Sequence, residues 1–390
     1  MHRTQQSWTL LLGLAALLTV LAFVVPLAAQ SGTGGTLVFI GTYASPASKG
    51  IYVSRLDPST GALSTPTLAA EVRNPSYLAA SADGRFLYAV SEVDAVGGKP
   101  GGAVAGYAID KAAGTLKPLN TQSTVGGGPC HVSVAGRMVF AANYGGGSIA
   151  AYQTQDDGSL KPASTFVQHK GSGVNPDRQK GPHAHGVVPD PSGRFLYAPD
   201  LGLDQVLIYK IDAGAGTIAP ATPPFTKVTP AGSGPRHIAL ARDGKHAYVI
   251  TEMFCTIGVF DRNAANGALS PVQTIATLPP GQPVEKGFST AEVLLHPSGK
   301  FLYGSNRGHN SLVVYAVDAT SGKLTLVQHV PTGGKTPRAF NIDPSGTFLV
   351  AGNQDSDQIV VFRIDPATGK LTSTGQSVSV GKPVSFEFVR

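Results

Sequence analysis

Cysteine is scarce here: Cys130 and Cys255 are the only two in 390 residues. That is too few for a disulfide framework, even in an oxidising compartment. They fall in different, non-adjacent repeat units and neither belongs to a C-x-x-C pair, so both are read as free or buried thiols. No histidine pair has a carboxylate at zincin spacing, so no metal site is expected. Charge is also sparse, at 14% of residues, and the net +6 comes without a run of Lys or Arg. Nucleic-acid binding needs clustered basic residues and is therefore not expected. Scattered arginines suit a small anionic ligand better. Helical periodicity is nearly absent after residue 30.

The one long hydrophobic run lies at the start. His2 and Arg3 precede an apolar stretch from about Leu10 to Val25, followed by Pro26 and a small-residue ending at Ala28-Ala29. This is the pattern of a secretory signal peptide over residues 1–29, cleaved after Ala29. The mature chain is then secreted or periplasmic, without stable membrane insertion. Because the run is long for a signal, an uncleaved membrane anchor is the alternative. Residues 30–36 read as a flexible Gly/Ser/Thr lead, and residues 37–390 as the folded body.

What the body has is repetition. The turn-and-strand DPSGRFLY at Asp190 to Tyr197 returns as ADGRFLY, AGRMVF, RDGKHAY, PSGKFLY and PSGTFLV. A second element, a β-branched strand leading into a glycine turn, occurs seven times, with turn glycines Gly61, Gly114, Gly158, Gly216, Gly267, Gly322 and Gly369. The period is roughly 51 residues, in the range of propellers and solenoids. Apolar runs of strand length between Gly/Pro/Asp/Ser turns give four short strands per unit. Seven such units predict an all-β, seven-bladed propeller with four antiparallel strands per blade. A WD-type propeller is excluded, because Trp8 is the only tryptophan and it lies in the leader. Six units open with an inner strand, and a seventh such strand, PVSFEFV from Pro383, sits at the end of the chain. It is expected to close the ring as the innermost strand of the first blade, beside LVFIGTY from Leu37.

Up-and-down connectivity puts the start of strand 1 and the end of strand 2 at one face of the ring. The PSG, DG and TG turns lie at the other. Counting eight residues back from the turn glycines reaches Ser76, His185, Arg236, Ala291 and Arg338; counting eight forward reaches Glu92, Tyr144, Leu201, Glu252, Arg307 and Gln354. Cys130 and His131 fill the tip of the blade whose turn is shorter. Turns stay constant while these positions diverge, which is the mark of a scaffold carrying a site on one face. Asp200, Asn306 and His183 stand beside the ring, and insertions at 93–101, 169–181 and 277–288 fall in connections on the same face. Each residue alone has a plainer reading as a solvated strand end, and Arg236 with Glu252 as a mere inter-strand ion pair. Six ionisable groups at one mouth point instead to a ligand site. The triple glycine Gly145-Gly146-Gly147 opens no helix and is not a phosphate loop.

The stretches GPHAHGVVPDPSGRFLYAPDLGLDQV, GPRHIAL with Glu252 sixteen residues after Arg236, STAEVLLHPSGKFLYGSNRGHNS and TPRAFNIDPSGTFLVAGNQDSD resemble the seven-bladed propeller lactonases. That family includes bacterial 6-phosphogluconolactonases and fungal carboxymuconate-lactonizing cycloisomerases, and the resemblance spans residues 37–390. It implies a site without metal or cofactor, made of His183 or His185, Arg236, Glu252 and Arg307. Arg338, Glu92, Asn306, Asp200 and Gln354 are expected to line the substrate. Histidine suits acid–base work near neutrality, and arginine suits a carboxylate, a phosphate or an oxyanion. The favoured reading is an exported, monomeric lactonase acting on a sugar or related anionic lactone. A lactonizing cycloisomerase and a non-enzymatic exported binding propeller are the alternatives, since fold does not decide among them.

Overall fold

The computed structural model describes His2 and residues 34–389 of the chain. Apart from His2, the expected signal peptide lies outside the described residues. The chain separates into a short unit, Met1–Ser31, and the body, Gly32–Arg390. No helix among the described residues is long and apolar enough to cross a membrane.

The body forms seven four-stranded antiparallel sheets, the blades of the predicted propeller. Six of them use four strands consecutive in the blade, with inner strands Leu78–Ala80, Pro129–Ala135, Val188–Pro189, Pro235–Leu240, Ser289–Leu295 and Pro337–Ile342. Blade 1 is composite. Thr36–Thr42, Gly50–Leu56 and Thr67–Glu71 supply three strands, and the C-terminal Pro383–Val389 pairs along Thr36–Thr42 from Leu37↔Val389 to Thr42↔Pro383. The first strand starts at Thr36, so the lead is one residue shorter than its sequence suggests.

The repeated motifs have identifiable tasks. In the turn of blade 4, Asp190 Oδ1 accepts the Arg194 and Phe195 N–H groups at 2.8 and 2.9 Å. Asp343 does the same for Thr347 and Phe348 in blade 7, at 2.8 and 2.7 Å. The Phe and Tyr of the FLY strands lie two residues apart and so share one face of the sheet. That face meets the TG turn of the next blade. Tyr88 donates to Gly158 O, Tyr197 to Gly267 O and Tyr303 to Gly369 O, all at 2.8–2.9 Å. Gly158 has φ +84°, and a Cβ there would stand 2.2 Å from the Phe86 ring. Only glycine meets both demands. These contacts repeat around the ring because each joins one blade to the next, and each buried apolar cluster likewise spans two neighbours.

Candidate active site

The inner strands do not run straight into the mouth. Pro235 pairs with Thr251 and His237 with Ile250, which leaves Arg236 as an extra residue in the ladder. The same shift leaves Cys130 in blade 3 and Arg338 in blade 7 without a partner, and one falls between Thr290 and Val293 in blade 6. A bulge breaks the strict in–out alternation of a strand. Two consecutive residues can then serve the channel, and the site has two layers.

Glu252 is the centre of the upper layer. Its Oε2 lies 3.0 Å from Arg307 Nη2 and 3.2 Å from Arg236 Nε, and its Oε1 lies 2.7 Å from Arg178 Nη2. Those cations come from blade 6, blade 5 and the 169–181 insertion. Glu252 is thus far more than half of an intra-blade pair. Burial would raise its carboxyl, but Arg307, Arg236 and Arg178 outweigh that and hold it at about 2. Arg307 and Arg236 show the reverse balance. Burial draws Arg307 down to about 10 against the pull of Glu252, and burial together with Arg338 lowers Arg236.

His185 is buried, with Nε2 3.7 Å from Glu252 Oε2 and Nδ1 3.5 Å from Cys130 Sγ. Burial first, then Arg236, His237 and Arg338, push it well below the ordinary histidine range, so it is a neutral imidazole at neutral pH. Burial also keeps the Cys130 thiol protonated, raised to about 12. His183 is half-buried and stacks on Tyr144; its Nδ1 donates to Tyr144 O at 2.9 Å, which leaves Nε2 as an acceptor. Across the mouth, Arg338 Nη2 donates to Tyr43 OH and Tyr43 OH to Glu92 Oε2, both at 2.9 Å.

Three expected substrate contacts are placed differently. Asp200 is fully buried. Its Oδ2 faces His169 Nδ1 at 2.6 Å, and its Oδ1 accepts the His183 and Gly202 N–H groups. It anchors the 169–181 insertion and the His183 backbone and does not face a ligand. Asn306 is also fully buried and donates to Thr277 O and Ser311 Oγ. Asn143 makes the same pair of bonds in blade 3, so this is a scaffold position. Gln354 lies on a short 3₁₀ turn and donates to Asp355, away from the Glu252 contacts.

The sequence reading overlooked Arg178, whose insertion had been placed at the mouth without singling out any residue in it. Asn175 Oδ1 accepts the Arg178 N–H, and Gln179 ties the loop to Leu201 O. Also overlooked were Tyr77, His237 and Glu292, which with His131 make up the lower layer. His131 stacks on Tyr77 with ring centres 4.0 Å apart and meets His237 edge-on at 5.1 Å. Among the described residues, no group of three or more His, Cys, Asp or Glu is arranged to hold a metal ion.

A seven-bladed ring with a neutral histidine beside an arginine-clamped carboxylate, all at one mouth, defines a propeller suited to acid–base work on an anion. Residues 37–388 match the model of the family described as "Lactonase, 7-bladed beta-propeller". The chain belongs to that family, and it is a 6-phosphogluconolactonase-like lactonase. It is 36% identical to a 6-phosphogluconolactonase of Bacillus subtilis over 78% of this chain and 84% of that one. A candidate 6-phosphogluconolactonase structure from Bacteroides fragilis is 40% identical, with a TM-score of 0.85 over 92% of this chain and 99% of that one. The structure of a periplasmic gluconolactonase from Pseudomonas aeruginosa is 37% identical, with a TM-score of 0.84 over 91% and 99%.

Proposed function

We propose that this protein is an exported, metal-independent enzyme that hydrolyses a sugar lactone carrying an anionic group. Residues 1–29 are its export signal, and the mature chain begins near Gln30. The observation that carries the substrate class is the charge of the mouth. Four guanidiniums, from Arg178, Arg236, Arg307 and Arg338, face two mouth carboxylates, Glu252 and Glu92, with Glu292 beneath Arg236. Cations in excess around one mouth suit an anion, and a lactone bearing a carboxylate or phosphate supplies one before and after ring opening. Export agrees with the N-terminal pattern and with the periplasmic location stated for the Pseudomonas aeruginosa relative.

In this reading His185 takes the proton from the attacking water and returns it to the leaving alkoxide. The Glu252 carboxylate, 3.7 Å away, stabilises the imidazolium formed between those steps. At a pKa of about 2, Glu252 is too weak a base to do this itself. Arg307 and Arg236 stabilise the tetrahedral oxyanion, and Arg178 with Arg338 holds the anionic group. His183, with its tautomer fixed by Tyr144 O, orients the substrate.

The test is a panel of neutral, carboxylated and phosphorylated lactones, plus a carboxymuconate, with and without a chelator. Hydrolysis of the anionic lactones that survives the chelator is expected. Ring closure of the muconate without lactone hydrolysis, or no turnover at all, would overturn the proposal.

A further inference from the structure

Beneath Glu252, the lower layer forms a hydrogen-bonded chain for which lactone hydrolysis as described has no use. Glu292 Oε1 accepts the Val293 N–H at 3.0 Å and lies 2.8 Å from His237 Nδ1. An oxygen already receiving one N–H suits a second, so Nδ1 is the protonated nitrogen of His237. Arg236 Nη1 lies 3.1 Å from Nε2 and 3.4 Å from Nδ1, so the guanidinium rests against the imidazole ring as a whole. Arg236 Nη1 also donates to Ala291 O at 2.7 Å, and Nε faces Glu252. Glu292, His237 and Arg236 are 4%, 3% and 3% exposed, so few other groups compete to orient them.

The underside of this layer opens to the opposite end of the ring. A cavity of about 460 Å³ is lined by Tyr77, His131, His237 and Glu292 at one end and by the turn residues Pro191 and Gly299 at the other.

We infer that Glu292 and His237 are positioning residues that fix the Arg236 guanidinium for catalysis, and that Glu292 exchanges its proton through the cavity on the turn side. This rests on the hydrolytic reading above.

The groups around Glu292 are His237, Arg236, His131, Arg338 and Tyr77, with Glu387, His296 and Arg242 on the same cavity. Burial raises Glu292 to about 7, against the opposing pull of Arg236 and the Val293 N–H. His185, His237 and His131 all lie well below the histidine range, and Glu252 lies at about 2. Glu292 and Glu387 are both raised to about 7, and only Glu292 bonds to His237. Ionisation strengthens the acceptor of the His237 Nδ1–H, makes the imidazole ring more electron-rich against the Arg236 guanidinium, and tightens the clamp. Turnover should therefore rise as pH climbs through about 7. Glu387, also raised to about 7 by burial, accepts the Ala80 N–H at 3.1 Å instead.

The experiment is the pH dependence of kcat and KM in wild type, Glu292→Gln, Glu292→Ala and Glu387→Gln. It is paired with ¹⁵N NMR of the histidine side chains in the free protein. Glutamine keeps the acceptor oxygen but cannot titrate. Glu292→Gln should match wild type near pH 6, lose the rise in kcat towards pH 8 and leave KM unchanged. Glu292→Ala removes the acceptor and should lower kcat roughly 10–100-fold at every pH, the range found when an orienting partner is lost. Glu387→Gln should keep the rise. A flat wild-type profile, or an unaltered rise in Glu292→Gln of normal melting temperature, overturns the inference. NMR should show the His237 proton on Nδ1; finding it on Nε2 breaks the chain whatever the activity. A wild type that opens no lactone but shows the Nδ1 proton overturns the functional reading and, with it, any catalytic role for the pair.

Discussion

The two ends of each blade are built from the same strands and follow opposite rules. At the turn end, Asp190 and Asp343 make the same pair of backbone bonds in blades 4 and 7, within 0.2 Å of one another. At the mouth, one position of the repeat holds Ser76, Cys130, His185, Arg236, Ala291 and Arg338 in successive blades. The difference follows from what each side chain bonds. A turn aspartate satisfies the backbone of its own turn, so the fold dictates its identity. A residue on a bulge has left the ladder, and its side chain is free to answer to something other than the sheet. Repetition therefore marks scaffold and divergence marks the site.

Two perturbations should separate scaffold from site, and the larger acts on the scaffold alone. Deleting residues 383–390 removes the inner strand of blade 1 and the buried side chains Val384, Phe386, Phe388 and Val389. At roughly 1.5–3 kcal/mol each, that loss rivals the whole stability of a domain. Loss of the cooperative melting transition is expected, and an unchanged melting temperature in a monomer would refute ring closure. Next come the mouth arginines. Arg236→Ala or Arg307→Ala removes one charge from a buried pair and should cost about 2–5 kcal/mol in kcat/KM. Both should leave the far-ultraviolet spectrum intact, and a melting point that falls in step with activity would count against a catalytic role.

The fold was almost fully legible, since the turn glycines recur seven times and the FLY-type strands six times as local signals. The upper layer of the site was half legible. Counting from the turn glycines reached His185, Arg236, Glu252, Arg307 and Arg338, because the turns fix the register of both strands. The same counting gave a single ring, since a bulge is invisible to strict alternation. His237 and Glu292, one residue beyond the tips, were therefore missed. Asp200 and Asn306 were over-read because position alone does not show that a side chain turns into the wall. Arg178 sits on an insertion whose sequence does not repeat in the other blades, so no register could place it.

The acid limb of stability sharpens the comparison in thermodynamic terms. Glu252 is held at about 2, below its ordinary 4.5. Its contribution is fully present above about 4.5 and is lost as pH falls from there towards 2. The melting temperatures of wild type and Glu252→Gln should accordingly differ most near neutrality and converge on acidification. A constant gap across that range would mean the arginine clamp does not set the carboxylate. Arg178→Ala should act more weakly, because its side chain is 42% exposed. Solvent screening leaves about 1 kcal/mol, seen as a rise of several-fold in KM with kcat little changed.

The smallest expected effect is the control for all the others. Arg194 lies in the turn of blade 4, the blade that carries His185 at its other end. It is exposed, donates from Nη2 to Ala264 O at 2.5 Å and from Nε to Ser192 Oγ at 3.3 Å, and lies over the Phe195 ring at 5.6 Å. These contacts reach the next blade but none enters the channel. Arg194→Ala should change stability by no more than about 0.5 kcal/mol, as for a surface substitution, and leave kcat and KM within error of wild type. Arg194 and Arg236 carry the same charge and have comparable numbers of partners, so the pair isolates position as the variable. If Arg194→Ala impaired turnover as much as Arg236→Ala at unchanged melting temperature, the two faces would not differ as their sequences do, and the mouth would lose its claim to be the site.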